Sequence, residues 1–82
     1  MEPDRFELLS NVRDIEIIAS GRGVRIRNTL KRRFGGERWR KMKGNARIRD
    51  AEGNIYEAEI HWYEAHGVGK VDWKIKKTLP GE

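Results

Sequence analysis

From residue 44 to residue 78 apolar and polar residues alternate almost without a break. Successive side chains of a strand point to opposite faces, so a period of two over this length describes an antiparallel sheet with one buried face. The pattern divides into three segments, 44–50, 54–65 and 70–78. In the first, Ala46 and Ile48 face one way and Arg47 and Arg49 the other. In the second, Tyr56, Ala58, Ile60 and Trp62 face inward, while Ile55, Glu57, Glu59, His61 and Tyr63 face outward. In the third, Val71, Trp73 and Ile75 face inward, with Asp72, Lys74 and Lys76 outward. Parity then constrains the loops. A three-residue loop at 51–53 places Ile48 opposite Tyr56 and Arg47 opposite Glu57, with Gly53 at the positive φ that such a turn needs. A four-residue loop at 66–69 places Trp62 opposite Trp73, His61 opposite Lys74 and Glu59 opposite Lys76.

Upstream, residues 14–20 alternate Ile15 and Ile17 with Glu16 and are rich in β-branched side chains, which predicts a short strand. Ser20-Gly21-Arg22-Gly23 is a turn signal. Beyond it, Ile26, Leu30 and Phe34 recur every four residues, one stripe of a helix, and Gly35-Gly36 supplies its stop. Lys31, Arg32 and Arg33 lie in the last turn, where the helix dipole favours cations. A rival reading makes 24–27 a strand in a hairpin with 15–19. At the N-terminus, Pro3 with Phe6 and Leu9 suggests one helical turn. The expected fold class is α+β: a short N-terminal strand, one basic amphipathic helix, and a three-stranded antiparallel β-meander whose aromatic face the helix covers. One small domain spans 1–82, with 1–13 and 79–82 frayed.

Charge narrows the partner. Residues 22–49 hold twelve Lys and Arg against the single acid Glu37, while both flanking segments are net acidic. A block this basic repels itself unless something anionic meets it, and nucleic acid is the commonest such partner. The chain has no cysteine, which excludes disulfides and thiolate chemistry. Its longest apolar run is three residues, Ile17-Ile18-Ala19, too short for a membrane span or a signal-peptide core. The expected location is the cytoplasm.

Arg38-Trp39-Arg40-Lys41-Met42-Lys43 interleaves cations with one indole. Cations neutralise phosphates, and an aromatic face can stack on an unpaired base, so the pattern suits RNA better than duplex DNA. Candidate nucleic-acid-binding residues are Arg25, Arg27, Lys31, Arg32, Arg38, Trp39, Arg40, Lys41, Lys43 and Lys70. On the outer sheet face His61, Tyr63 and Lys74 converge. They are types that can serve as base, acid and charge stabiliser in metal-free RNA cleavage. The competing reading of that face is a ladder of cross-strand ion pairs, Arg47 with Glu57 and Glu59 with Lys76. His66-Gly67-Val68-Gly69-Lys70 lacks the spacing of a phosphate-binding P-loop and reads as a hairpin loop. His61 and His66 have no third ligand at metal spacing, so neither a metal nor a cofactor is expected.

Basic Arg40-Lys41-Met42-Lys43-Gly44 leading into a strand, a helix placed before an antiparallel sheet, and scattered Arg, Lys, His and Tyr together resemble the small bacterial ribonuclease toxins of the RelE/ParE type and the wider group of metal-free ribonuclease toxin domains. The resemblance covers the layout of residues 14–78. It implies a metal-independent ribonuclease, and the residues that the strand register gathers for that chemistry are His61, Tyr63 and Lys74. Two alternatives stand beside it, a non-catalytic nucleic-acid-binding module and a protein-interaction domain for an acidic partner.

Overall fold

The computed structural model describes residues 4–80. Five strands and one short helix follow in the order β1 (Phe6–Leu8), β2 (Arg13–Ser20), a 3₁₀ turn (Gly21–Gly23), α1 (Arg27–Phe34), β3 (Arg40–Asp50), β4 (Ile55–Ala65) and β5 (Gly69–Thr78). All pairings are antiparallel. Both β1 and β2 lie along the same edge of β3, β1 beside its C-terminal end and β2 beside its N-terminal end, and β4 and β5 follow on the other side.

This corrects the expected α+β class. Strands take 56% of the described residues and helix 14%, so the fold is a small, β-rich, curled antiparallel sheet with one short helix. Three departures account for it. Residues 6–8, expected in a helical turn, form β1, because Phe6 packs edge-on against Trp73 with centroids 6.3 Å apart; Pro3 itself lies outside the described residues. Strand β3 starts at Arg40 rather than 44, since Lys41 and Lys43 alternate with Met42 and Gly44 just as Arg47 alternates with Ala46 and Ile48. Gly44 sits inside a strand because its neighbours leave no room for a side chain: an added Cβ would overlap a Val12 methyl and lie 3.1 Å from the Arg13 carbonyl oxygen.

The third departure concerns the helix. Its stripe was expected on the aromatic face of the meander. That face instead closes on itself. Met42, Ala46, Ile48, Ala58, Ile60 and Trp62 form its buried centre, with Phe6, Val12, Tyr56, Trp73 and Ile75 packed around them. The sheet curls far enough for its two edges to meet: the Asp4 N–H donates to the Trp73 carbonyl at 3.0 Å, and the Ile75 N–H donates to an Asp4 carboxylate oxygen at 2.7 Å. Helix α1 covers one end of the opposite face. There Val24, Leu30, Trp39 and Ala65 make a second core, flanked by Phe34, Tyr63 and Val71. Of the expected stripe, Leu30 is buried, Phe34 half-buried, and Ile26 lies before the first helical residue, 39% exposed.

The first hairpin has the predicted register, Ile48 opposite Tyr56 and Arg47 opposite Glu57. Its turn is fastened by Asp50, whose Oδ1 accepts the N–H groups of Glu52 and Asn54 at 2.9 Å each. The second hairpin differs. Ala65 faces Gly69 across a three-residue loop, and two bulges follow. Asp72, at φ 54°, stands in the first bulge, after which His61 does face Lys74. The second shifts Glu59 opposite Lys77 rather than Lys76. Trp62 and Trp73 stack at 4.8 Å and 24°. The C-terminal end stays attached past β5, where the Leu79 N–H donates to the Glu57 carbonyl at 2.8 Å.

Candidate nucleic-acid interface

Beside the start of α1, a hollow opens on the outer face of β3, β4 and β5. Ile26, Lys41, His61, Tyr63, Asp72, Lys74 and Lys76 line a cleft of 250 Å³ there. Three strands deliver one layer of it: Lys41 is paired with Tyr63, and His61 with Lys74. The two β5 bulges keep Asp72, Lys74 and Lys76 aimed at the same hollow, a use of bulges to direct side chains. The three residues expected to do chemistry, His61, Tyr63 and Lys74, therefore share one surface. Lys76 and Asp72 belong to it too; alternation had placed them on this face without marking them as site residues.

The cleft is cationic. Lys41 Nζ lies 5.9 Å from the centre of the Tyr63 ring. Its lone acid, Asp72, is bridged by Arg33 at 3.7 Å from the helix above. Below the cleft, His61 Nε2 is 2.9 Å from a Glu59 carboxylate oxygen. An ionised carboxylate only accepts, so Nε2 carries the proton and donates it. The lone pair then sits on Nδ1, which is buried and has no partner among the described residues. Burial holds the His61 imidazole below its ordinary pKa, against the raising effect of Glu59, with Lys76 and Lys41 adding to the drop. Glu59 is held below the usual carboxylate range by the His61 hydrogen bond first, then by Lys77 and Lys43. Burial, followed by Asp72, raises Tyr63. At neutral pH the cleft thus presents a neutral imidazole and a phenol beside its lysine side chains.

These shifts make stability depend on pH in a stated direction. Unfolded, His61 titrates near its ordinary 6.5, and folded it titrates lower. As pH falls through that window, the unfolded chain takes up a proton that the native state refuses. His61 therefore contributes fully above 6.5 and less below it. Glu57, lowered by Arg13 and Arg47, and Glu59 add a second loss below their ordinary 4.5. The urea midpoint should be level above about pH 7 and should fall in two steps on acidification, with His61→Gln abolishing the first. Equal midpoints at about pH 7.5 and about pH 5.5 would contradict the assignment.

The remaining candidates divide among three places. Arg27, Lys31 and Arg38 line a second hollow on the other side of the helix start. Arg25 is exposed beside it, and Arg32 lies against Thr29 Oγ1 at 3.5 Å. Lys43 pairs with Glu16 at 3.5 Å. Arg40 and Lys70 lie on the opposite sheet face, Arg40 bonded to Glu64 at 2.8 Å and Lys70 Nζ 5.6 Å from the Trp62 ring centre. Trp39, expected to stack on a base, is a core side chain: it is 3% exposed, and its indole N–H donates to the Gly35 carbonyl at 3.2 Å. The expected Glu59–Lys76 ion pair is replaced by Glu59–Lys77 at 3.8 Å, whereas Arg47–Glu57 forms as expected at 3.1 Å.

Fold and surface together describe a small curled sheet with a cationic cleft beside its one helix. No family model, no curated protein and no solved structure matches the chain. Among the described residues no helix is long and apolar enough to cross a membrane.

Proposed function

We propose that this protein binds RNA through the cleft between the start of α1 and the outer face of β3, β4 and β5. The observation that carries the reading is the gathering of Lys41, Lys74 and Lys76 around one hollow whose single carboxylate, Asp72, is already bridged by Arg33. Such a charge balance favours an anion. At 250 Å³ the hollow is below the roughly 300 Å³ at which drug-sized ligand pockets begin, so it suits a phosphate with its sugar rather than a whole duplex. Tyr63 and the neutral His61 supply hydrogen-bonding groups beside that phosphate.

A second reading, metal-independent cleavage of the bound RNA, is favoured by the Glu59–His61 pair. Glu59 accepts the hydrogen bond from Nε2–H and so fixes the tautomer with its lone pair on Nδ1. That atom is buried, so it acts as a base only once the ring turns toward the cleft that Tyr63 and Lys74 line. This is the reading in which the likeness to toxin ribonucleases has chemical content.

Binding to a labelled oligouridylate across a salt series, in chelator, tests the first reading. Three lysine–phosphate contacts predict a slope of log K against log salt of about −2 or steeper. A flat response removes nucleic acid as the partner. Cleavage products in the same tubes, lost by about 100-fold or more in His61→Ala, would establish the second reading. Unchanged RNA in every tube would leave binding alone.

A further inference from the structure

The second hollow lies just across the helix start from the first. Arg27, Asn28 and Lys31 line it from α1, Gly21 from the preceding turn, and Arg38 and Trp39 from the approach to β3, around 170 Å³. Three of these side chains are cationic. The one carboxylate on its wall, Glu37, accepts from Lys31 Nζ at 3.2 Å, and Arg27 Nη1 donates to the Arg22 carbonyl at 3.3 Å. Arg38 has no hydrogen bond or ion pair among the described residues. Its backbone is held at φ 58°, a left-handed conformation that is uncommon for a residue with a side chain.

The two hollows are lined by neighbouring residues. Ile26 lines the first and Arg27, the next residue, lines the second. On the sheet side Trp39 lines the second and Lys41 the first. Two residues of strand rise about 6.6 Å, a distance on the order of one nucleotide step. Ile26, on the wall of the first hollow and next in sequence to Arg27 on the second, is a large apolar side chain 39% exposed to solvent. We infer that the hollows are adjacent phosphate sites on one track for single-stranded RNA, with Ile26 as the ledge against which a base or ribose packs. This rests on the RNA reading above and adds to it the strandedness and the path. A single strand bends at each nucleotide and can follow a ridge with a hollow on either side. A stiff duplex cannot enter both.

The test uses the full chain, an oligouridylate of about eight nucleotides, within the site sizes of single-strand binders, and the same length annealed to its complement. The double variant Arg27→Gln with Lys31→Gln should weaken single-strand binding by about 10-fold and flatten the salt slope by about 1.4 units, two contacts at 0.7 each. The charge-keeping pair Arg27→Lys with Lys31→Arg should hold both within about twofold. Ile26→Ser should weaken binding without changing the slope, because no counterion is released at an apolar contact. The annealed duplex should bind more weakly than the single strand. The inference is overturned if the glutamine pair leaves affinity and slope unchanged, if the charge-keeping pair loses as much as the glutamine pair, or if the duplex binds as tightly. Each of these can occur while Lys74→Gln still weakens binding, which would leave the RNA reading standing. A wild-type protein with no salt-dependent binding removes both.

Discussion

Trp62→Ala should leave the chain largely unfolded. The Trp62 side chain is fully buried at the centre of the closed face. It stacks on Trp73 at 4.8 Å, and its indole N–H donates to Glu64 at 2.8 Å. Truncating a buried aromatic costs about 3–5 kcal/mol, and losing the stacked pair adds about 0.5–1.5 kcal/mol. A domain of this length has a total stability of about 4–12 kcal/mol. The midpoint of thermal unfolding should therefore fall by about 15–50 °C, if any transition remains. Trp62→Phe separates the ring from its hydrogen bond. It should cost much less, because the Glu64 carboxylate keeps Arg40 at 2.8 Å and is not left unpaired. Trp73→Ala should also cost less than Trp62→Ala, since Trp73 is only half-buried. Thermal melts of the three variants order them. If Trp62→Ala melts within a few degrees of wild type, the closed face is not the main core.

Replacing Lys41, Lys74 and Lys76 together by Gln should nearly abolish RNA binding while leaving the fold intact. Each cation–phosphate contact on an accessible surface is worth about 1 kcal/mol, so three amount to about 100-fold in affinity. The slope of log K against log salt should flatten by about 2 units. Stability should change little, because none of the three side chains belongs to either core, and Lys41 forfeits only its approach to the Tyr63 ring. Arg40→Gln with Lys70→Gln provides the control on the opposite face. It removes two positive charges, yet it should leave the slope nearly unchanged, because those groups are engaged with Glu64 and the Trp62 ring away from the cleft. If both sets of variants weaken binding equally, RNA is responding to net charge and the cleft has no special part.

Alternation was the most informative feature of the chain, and its reach had a definite limit. It correctly set Arg47 opposite Glu57 and gathered His61, Tyr63 and Lys74 on one outer face. It could not show that Arg40 and Lys41, neighbours in a single basic run, would be sent to opposite sides of the sheet. That followed from β3 starting four residues earlier than expected. Nor did the basic run reveal that Trp39 would be core. An indole between two arginines has the same local appearance whether it stacks on a base or lies under Leu30. The β5 bulges had no sequence signal strong enough to read, because the bulged positions, Asp72 and Lys76, carry ordinary polar side chains rather than glycine.

The sequence by itself determined which residues of the first hairpin share a face, where the helix stops, and how that hairpin is registered, because each depends on a local rule of period, turn geometry or parity. Val71, expected inward with Trp73 and Ile75, lies instead opposite Tyr63 in the second core, because the β5 bulge follows it. Only the tertiary structure decided which element covers which face. A sheet with a strong twist can bury its aromatic face by curling until Asp4 reaches Trp73 and Ile75, and once it does, the helix is free to cover the other side. That choice depends on contacts between residues some seventy positions apart, which no local pattern encodes. It is also what places the start of α1 beside Lys41, His61 and Lys74, and so creates the cleft.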